Sequence, residues 1–160
     1  MFRKYAPTGA AALVLGALFL LWLWQPERQV RLHTSHFLKK VERRNWEGAA
    51  KMMADDYGDR WQHDKDSALS QAEDAFRTFL FLTIENRSES GETTPDRATT
   101  QTVIKVSGNG GPLAQVVMER VNTLREPFVF TWRQASSQPW DWKLISVDHP
   151  ELNTERVRGF

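Results

Sequence analysis

The spacing of apolar residues changes near residue 80, from intervals of three and four to alternation, and this change narrows the folds open to the chain. Before it lie three helical patterns. Between Glu27 and Arg44, Val30, Phe37, Leu38 and Val41 recur among basic residues, the mark of an amphipathic helix. Asn45 then suits an N-cap, because Trp46, Ala49, Ala50 and Met53 follow at i, i+3, i+4 and i+7. A third helix is expected to start near Asp66 or Ser67 and to carry Leu69, Ala72, Phe76, Phe79 and Leu80 on one stripe.

After the change the chain reads as strands. "FLTIENR" is a short one, followed by the loop "SESGETTPD". "RATTQTVIKV" is rich in threonine and β-branched residues and places Ala98, Thr100, Thr102, Ile104 and Val106 on one face. "SGNGGP" reads as a turn, "LAQVVMERVNTL" and "FVFTWRQA" as strands, "SSQP" as a turn and "WDWKLISVD" as the last strand. Three helices before four to five antiparallel strands predict an α+β fold with the helices on one face of a curved sheet. Trp46, Met53, Phe76, Leu80, Ile104, Val116, Phe130, Trp142 and Leu144 are expected to share one core. A small curved sheet with a different helical cap is the alternative.

The order of elements, the "RNWEGAAKMMADDY" segment and the closing "FVFTWRQ…WDWKLISVD" hairpin resemble the nuclear transport factor 2-like superfamily, across roughly residues 28–150. The resemblance implies a cystatin-like α+β cone with one open end. It also implies that Tyr57, Trp61 and His63, between the second and third helices, border a pocket mouth. Some members are isomerases, dehydratases, cyclases or hydrolases that place a carboxylate or histidine in an apolar pocket. Burial there raises a carboxylate's proton affinity enough for proton abstraction. Glu119 and Trp132 join the pocket candidates, although no catalytic set matches residue by residue.

A second feature concerns placement. Ala6 to Trp24 is 19 residues without a charge, with Arg3 and Lys4 before it. As a helix it would be roughly 28 Å long, close to the hydrocarbon thickness of a bilayer. The run leaves through Leu21-Trp22-Leu23-Trp24 without the small-residue exit of a cleaved signal peptide, and tryptophan favours the lipid–water boundary. Three segments are therefore expected: a single-pass membrane anchor at 1–26, an α+β domain at 27–150 and a polar tail at 151–160. Arg3 and Lys4 favour a cytoplasmic N-terminus. The basic residues from Arg28 to Arg44 count against exporting the domain they open, but long domains translocate largely regardless of charge. The domain is accordingly expected on the extracytoplasmic side.

Composition excludes several functions. Without Arg3 and Lys4, the 21 basic residues fall to 19 against 20 acidic ones, a balance with no field for nucleic acid. There is no cysteine, hence no disulfide and no thiolate ligand. The acid-rich stretch "KMMADDYGDRWQHDKD" fails as a calcium loop, since with Gly58 sixth the first ligand would be Met53. His33 and His36 share a helix face, a spacing open to a metal but more often a solvated pair, and no metal is expected. "SGNGGP" lacks the Lys-Ser/Thr of a phosphate loop, so no cofactor is expected either.

Two functions stay open. One is a membrane-anchored, non-catalytic binding or assembly module, with a protein partner or a second copy docking on the sheet. The other is a small-molecule isomerase or dehydratase using a buried acid or histidine in the cone. The sequence favours the module, because no catalytic set is visible in it. A deep pocket holding a buried acid beside Tyr57 or His63 would favour the enzyme, and an interior filled by Trp, Phe and Met the module.

Overall fold

The computed structural model describes residues 6–152, with the side chains of residues 6–12 and 23 excepted. The elements are α1 (Ala6–Leu23), α2 (Pro26–Glu42), α3 (Trp46–Ala50), α4 (Lys65–Arg77), β1 (Phe79–Thr93), β2 (Arg97–Gly110), α5 (Pro112–Thr123), β3 (Phe128–Gln134) and β4 (Trp142–Asp148). The four strands form one antiparallel sheet in chain order. Register shifts at both ends of the β1–β2 pairing and between Thr131 and Trp132 bend the sheet.

α2 begins with Pro26 at its first turn and lays Val30, Thr34, Phe37, Leu38 and Val41 against the sheet. Its end is sharply defined. The amide of Arg44 bonds to Val41 O (2.9 Å) and that of Asn45 to Lys40 O (2.9 Å), with Arg44 in the left-handed region at φ 54°. Asn45 closes this motif and caps the next helix, its side chain accepting from Gly48 N at 2.8 Å.

α3 has only 5 residues, whereas the sequence predicts a helix through Met53. Tertiary pairing overrides the helical stripe. Leu144 N donates to Met52 O and Ala54 N to Leu144 O, both at 2.9 Å, so this segment runs parallel to β4 and covers its free edge.

The third helix starts one cap earlier than expected. Asp64, not Asp66 or Ser67, accepts from Ser67 N (2.9 Å) and leaves Asp66 in the first turn. Asp64→Ala is expected to lower the thermal midpoint by several degrees, Asp64→Ser by almost nothing and Asp66→Ala by less than Asp64→Ala. Calorimetry with equal losses at both positions would show that first-turn charge matters rather than the capping oxygen.

"SESGET" continues β1 instead of forming a loop, because β2 is long enough to pair with it and Ser88 Oγ meets Thr102 Oγ1 across the strands at 2.9 Å. "LAQVVMERVNTL" is α5 rather than a strand: Pro112 opens it, and Ala114, Val117, Met118 and Val121 sit at i, i+3, i+4 and i+7 against the sheet. The adjacent Val116 and Val117 imitate a strand, but Val116 is 60% exposed and outside the core. Leu80 is also outside it, at 80% exposure, because α4 ends at Arg77 and the stripe does not continue.

β3 pairs with β2 only from Arg97 to Thr102. Further along that strand, the Asn122 side chain of α5 takes over. It accepts from Val106 N and donates to Val106 O, both at 2.8 Å, as a neighbouring strand would. Gly108 and Gly110 face the carbonyls of Phe81 and Thr78 so closely that a Cβ would collide with backbone.

The main core joins α2 and α3 to β2, β3 and β4 through Phe37, Leu38, Ala49, Ala98, Phe130, Trp142 and Leu144, with Met53 from the segment after α3 and with Trp46, Phe76 and Ile104 packed against it. Trp132 is fully buried; its Nε1 donates to Thr34 Oγ1 at 3.0 Å, and Thr34 also meets Thr100 Oγ1 at 2.9 Å.

α1 is of a different kind. All its described side chains, Leu13 to Trp22, are exposed, and they form no buried face. Among the described residues no helix is long and apolar enough to cross a membrane. That described surface is shorter than the uncharged run from Ala6 to Trp24. Past α1, the Arg28 guanidinium lies 3.4 Å from the Trp22 ring centre, and Trp24 packs against Trp140 at 6.1 Å. Most of the expected polar tail, residues 153–160, lies outside the described residues, as do Arg3 and Lys4.

Candidate functional site

The helices and the concave face of the sheet enclose a cavity of about 470 Å³. Its wall is apolar over most of its extent: Phe37, Leu38 and Val41 from α2, Leu69, Ala72 and Phe76 from α4, Ile104, Phe130 and Leu144 from the sheet. Alternation along β2 and the one-sided stripes of α2 and α4 supply this wall directly. The polar exceptions gather in the segment between α3 and α4, with Tyr57, Asp59, Trp61 and His63, and in Gln71 and Arg120.

That segment is a built loop. Gly58 bridges to Asp64, and Asp59 N bonds to His63 O at 3.2 Å. Asp59 Oδ1 accepts from the amides of Trp61 and His63, each at 2.9 Å, which folds the turn back on itself and places Gln62 at φ 64°. The other carboxylate oxygen, Oδ2, lies 3.0 Å from His63 Nδ1. The Asp59 side chain is 3% exposed and that of His63 20%. An ionised carboxylate only accepts, so Nδ1 is the donor of this contact, and whenever the ring is neutral its lone pair falls on Nε2. Burial first, and the charge of Asp59 second, push the Tyr57 phenol above its ordinary proton affinity. Tyr57 therefore stays an O–H donor at any physiological pH.

The sequence candidates separate. Tyr57, Trp61 and His63 line the cavity together, with Trp61 at its rim, where Nε1 donates to Leu152 O at 2.7 Å. Glu119 is exposed on α5 and does not line it, because the segment is a helix that turns this position outward. Trp132 also stands outside the wall, held in the core by Thr34. Asp59, the partner that gives His63 a defined tautomer, escaped the sequence reading. The Asp-x-x-x-His spacing in "DRWQH" is its only trace, and that spacing carries meaning only once the loop closes.

Two of the other three histidines are held elsewhere, and the third, His36, is exposed on α2 outside the cavity. His149 is fully buried, with Nε2 donating to Glu126 O (2.8 Å) and Nδ1 accepting from Glu151 N (3.1 Å). His33 Nδ1 donates to Gln29 O at 2.8 Å, and burial lowers its proton affinity. Among the described residues no group of three or more His, Cys, Asp or Glu side chains could hold a metal ion.

No protein-family model matches the chain, and no curated protein matches it. Solved structures do. A protein provisionally named an aromatic ring hydroxylase, from Novosphingobium aromaticivorans, is similar at TM-score 0.59 and 10% identity, over 81% of this chain and 94% of that one. A protein provisionally named a dehydratase of the nuclear transport factor 2-like family, from Streptomyces avermitilis, is similar at TM-score 0.54 and 14% identity, over 76% and 93%. Bd1075 of Bdellovibrio bacteriovorus is similar at TM-score 0.53 and 9% identity, over 76% of this chain but only 40% of its own longer one. At such identities the likeness shows the fold alone, the α+β arrangement of helices on one face of an antiparallel sheet that this chain shares with these structures.

Proposed function

We propose that the cone is the site of an isomerase- or dehydratase-type enzyme acting on a small apolar carbonyl compound, and that residues 1–26 tether the domain to a membrane on its extracytoplasmic side. The observation that carries the catalytic reading is the Asp59–His63 pair opening on an apolar cavity of about 470 Å³. In this scheme Nε2 of His63 takes a proton from the carbon beside the carbonyl, and the electron pair moves onto the carbonyl oxygen. The Tyr57 O–H is the available donor to that oxygen. Where the substrate carries a β,γ-double bond, the intermediate is a dienolate, and return of the proton to the γ-carbon as the carbonyl re-forms completes an isomerisation. Its delivery to a β-hydroxyl, which leaves as water, completes a dehydration. Asp59 stabilises the imidazolium formed in between. The provisional names of two structural relatives, a dehydratase and a ring hydroxylase, are compatible with a small ligand in such a cone.

The second reading is a tethered module without catalysis, which docks a protein partner or a second copy of the chain through the sheet. Asp59 favours it in one respect, since two of its three hydrogen bonds only brace the loop. A panel of aromatic and alicyclic ketones with a β-hydroxyl, offered to the purified full chain in D2O, separates the two. The enzyme reading expects deuterium at the α-carbon and loss of water above the buffer rate. Ketones that bind in the cavity without exchange would sink it.

The tether rests on the uncharged run from Ala6 to Trp24 and on the exposure of the described apolar side chains of α1, Leu13 to Trp22. Apolar residues all round a helix suit lipid rather than water. The whole chain is expected to stay in the membrane pellet after alkaline carbonate. Release by carbonate, or a mature form starting near residue 25 by intact mass, would overturn the tether.

A further inference from the structure

α2, the residues flanking α3 and the approach to β4 border a second hollow, an open groove of about 500 Å³ that shares no lining residue with the cavity of the cone. Its charge is one-sided. Lys39, Lys40, Arg43, Lys51 and Lys143 line it against a single acid, Asp141. Lys39 and Lys51 pair with Glu42 and Glu47, whereas Lys40, Arg43 and Lys143 form no ion pair among the described residues. Lys143 Nζ donates to Lys51 O at 2.7 Å, which holds it beside the other lining cations. A concave surface with several uncompensated cations attracts an anion and holds it against water better than the same charges on a convex face.

The rim says which anion. Trp140 lines the groove and is 51% exposed, and its ring packs on that of Trp24, the residue just past the end of α1. The groove is thus joined by one ring contact to the end of the apolar helix. Indole rings favour the lipid–water boundary, and basic side chains just beyond a membrane segment favour anionic headgroups wherever the leaflet they face carries them. We propose that this groove binds the phosphodiester headgroup of an anionic membrane lipid, with Lys40 and Arg43 on the phosphate and Trp140 at the acyl-chain boundary. The inference rests on reading residues 1–26 as a membrane tether, and it is independent of the chemistry in the cone.

The test uses the full chain in neutral maltoside micelles, titrated with dihexanoylphosphatidylglycerol, dihexanoylphosphatidylcholine and inorganic phosphate, and read by tryptophan fluorescence. The phosphatidylglycerol is expected to give a saturable change at a concentration at least about ten-fold below that of the phosphatidylcholine, weakening as sodium chloride rises. The double variant Lys40→Gln/Arg43→Gln is expected to raise that concentration about ten-fold with an unchanged circular dichroism spectrum. Lys143→Gln, which spares α2, should raise it by a smaller factor and gives a second reading if the double variant misfolds. Equal responses to the two lipids would mean unspecific insertion and overturn the proposal. Saturation by inorganic phosphate at or below the phosphatidylglycerol concentration would make this a soluble-phosphate site, and no response at all would also overturn it. Carbonate extraction tests the tether separately, so a tethered chain that fails the titration overturns the groove alone.

Discussion

Trp132→Ala is expected to destabilise the domain by about 3–5 kcal/mol, the range for removing a fully buried large aromatic side chain. Its surroundings leave little room for relaxation. Phe37 packs edge-on at 6.5 Å, His33 edge-on at 5.6 Å, and Trp132 itself is 0% exposed. The cavity left behind would lie between α2 and the sheet, and α2 is tied to the sheet along its whole buried face. Most of the loss should be apolar rather than polar. Thr34 keeps a donor in Thr100 and an acceptor in Val30 O (2.8 Å) when the indole is gone. Trp132→Phe, which keeps a ring but removes the N–H, should therefore cost only about 1–2 kcal/mol. Urea unfolding of both variants measures the difference. Equal losses would move the weight onto the Thr34 hydrogen bond, and a loss within error for Ala would remove Trp132 from the core.

The parts of the fold legible in the sequence are those where local pattern and tertiary packing agree. The α2 stripe is one, with Val30, Phe37, Leu38 and Val41 all buried as spaced. The inner face of β2 is another: Ala98, Thr100, Thr102 and Val106 are buried and Ile104 is packed against the core. Where the two disagree, the sequence misleads. Met53 continues a helical stripe but is taken by the edge of β4. Val116 and Val117 carry strand propensity, yet α5 forms because Ala114, Val117 and Val121 can pack on the sheet. The candidate site divides in the same way. Tyr57, Trp61 and His63 could be placed from the element order that the resemblance implies. Their relation to Asp59 could not, because it depends on a left-handed Gln62 and a loop closed by non-local packing.

That relation sets the second large effect. Once a turnover substrate is in hand, His63→Gln is expected to lower kcat by about 10²–10⁴-fold, the usual share of a positioned general base, with binding changed only a few-fold. The glutamine keeps a polar side chain of similar reach at the wall but has no basic ring nitrogen. Asp59→Asn is the more telling change. Its Oδ1 can still accept from the Trp61 and His63 amides, so the loop should hold, and amide exchange at those two positions measures whether it does. Its Nδ2 would face His63 Nδ1 as a donor, forcing the ring proton to Nε2. The ring would then offer the substrate an N–H where a lone pair is needed, and kcat should fall nearly as far as in His63→Gln with the fold intact. Asp59→Ala loses the brace as well as the tautomer, so it should add a stability loss of about 1–3 kcal/mol to the same kinetic defect. A purely structural aspartate predicts another pattern: Asp59→Asn close to wild type in turnover, and Asp59→Ala inactive only in proportion to the fraction unfolded. That pattern would reduce the pair to a loop clasp and return the cone to a binding role.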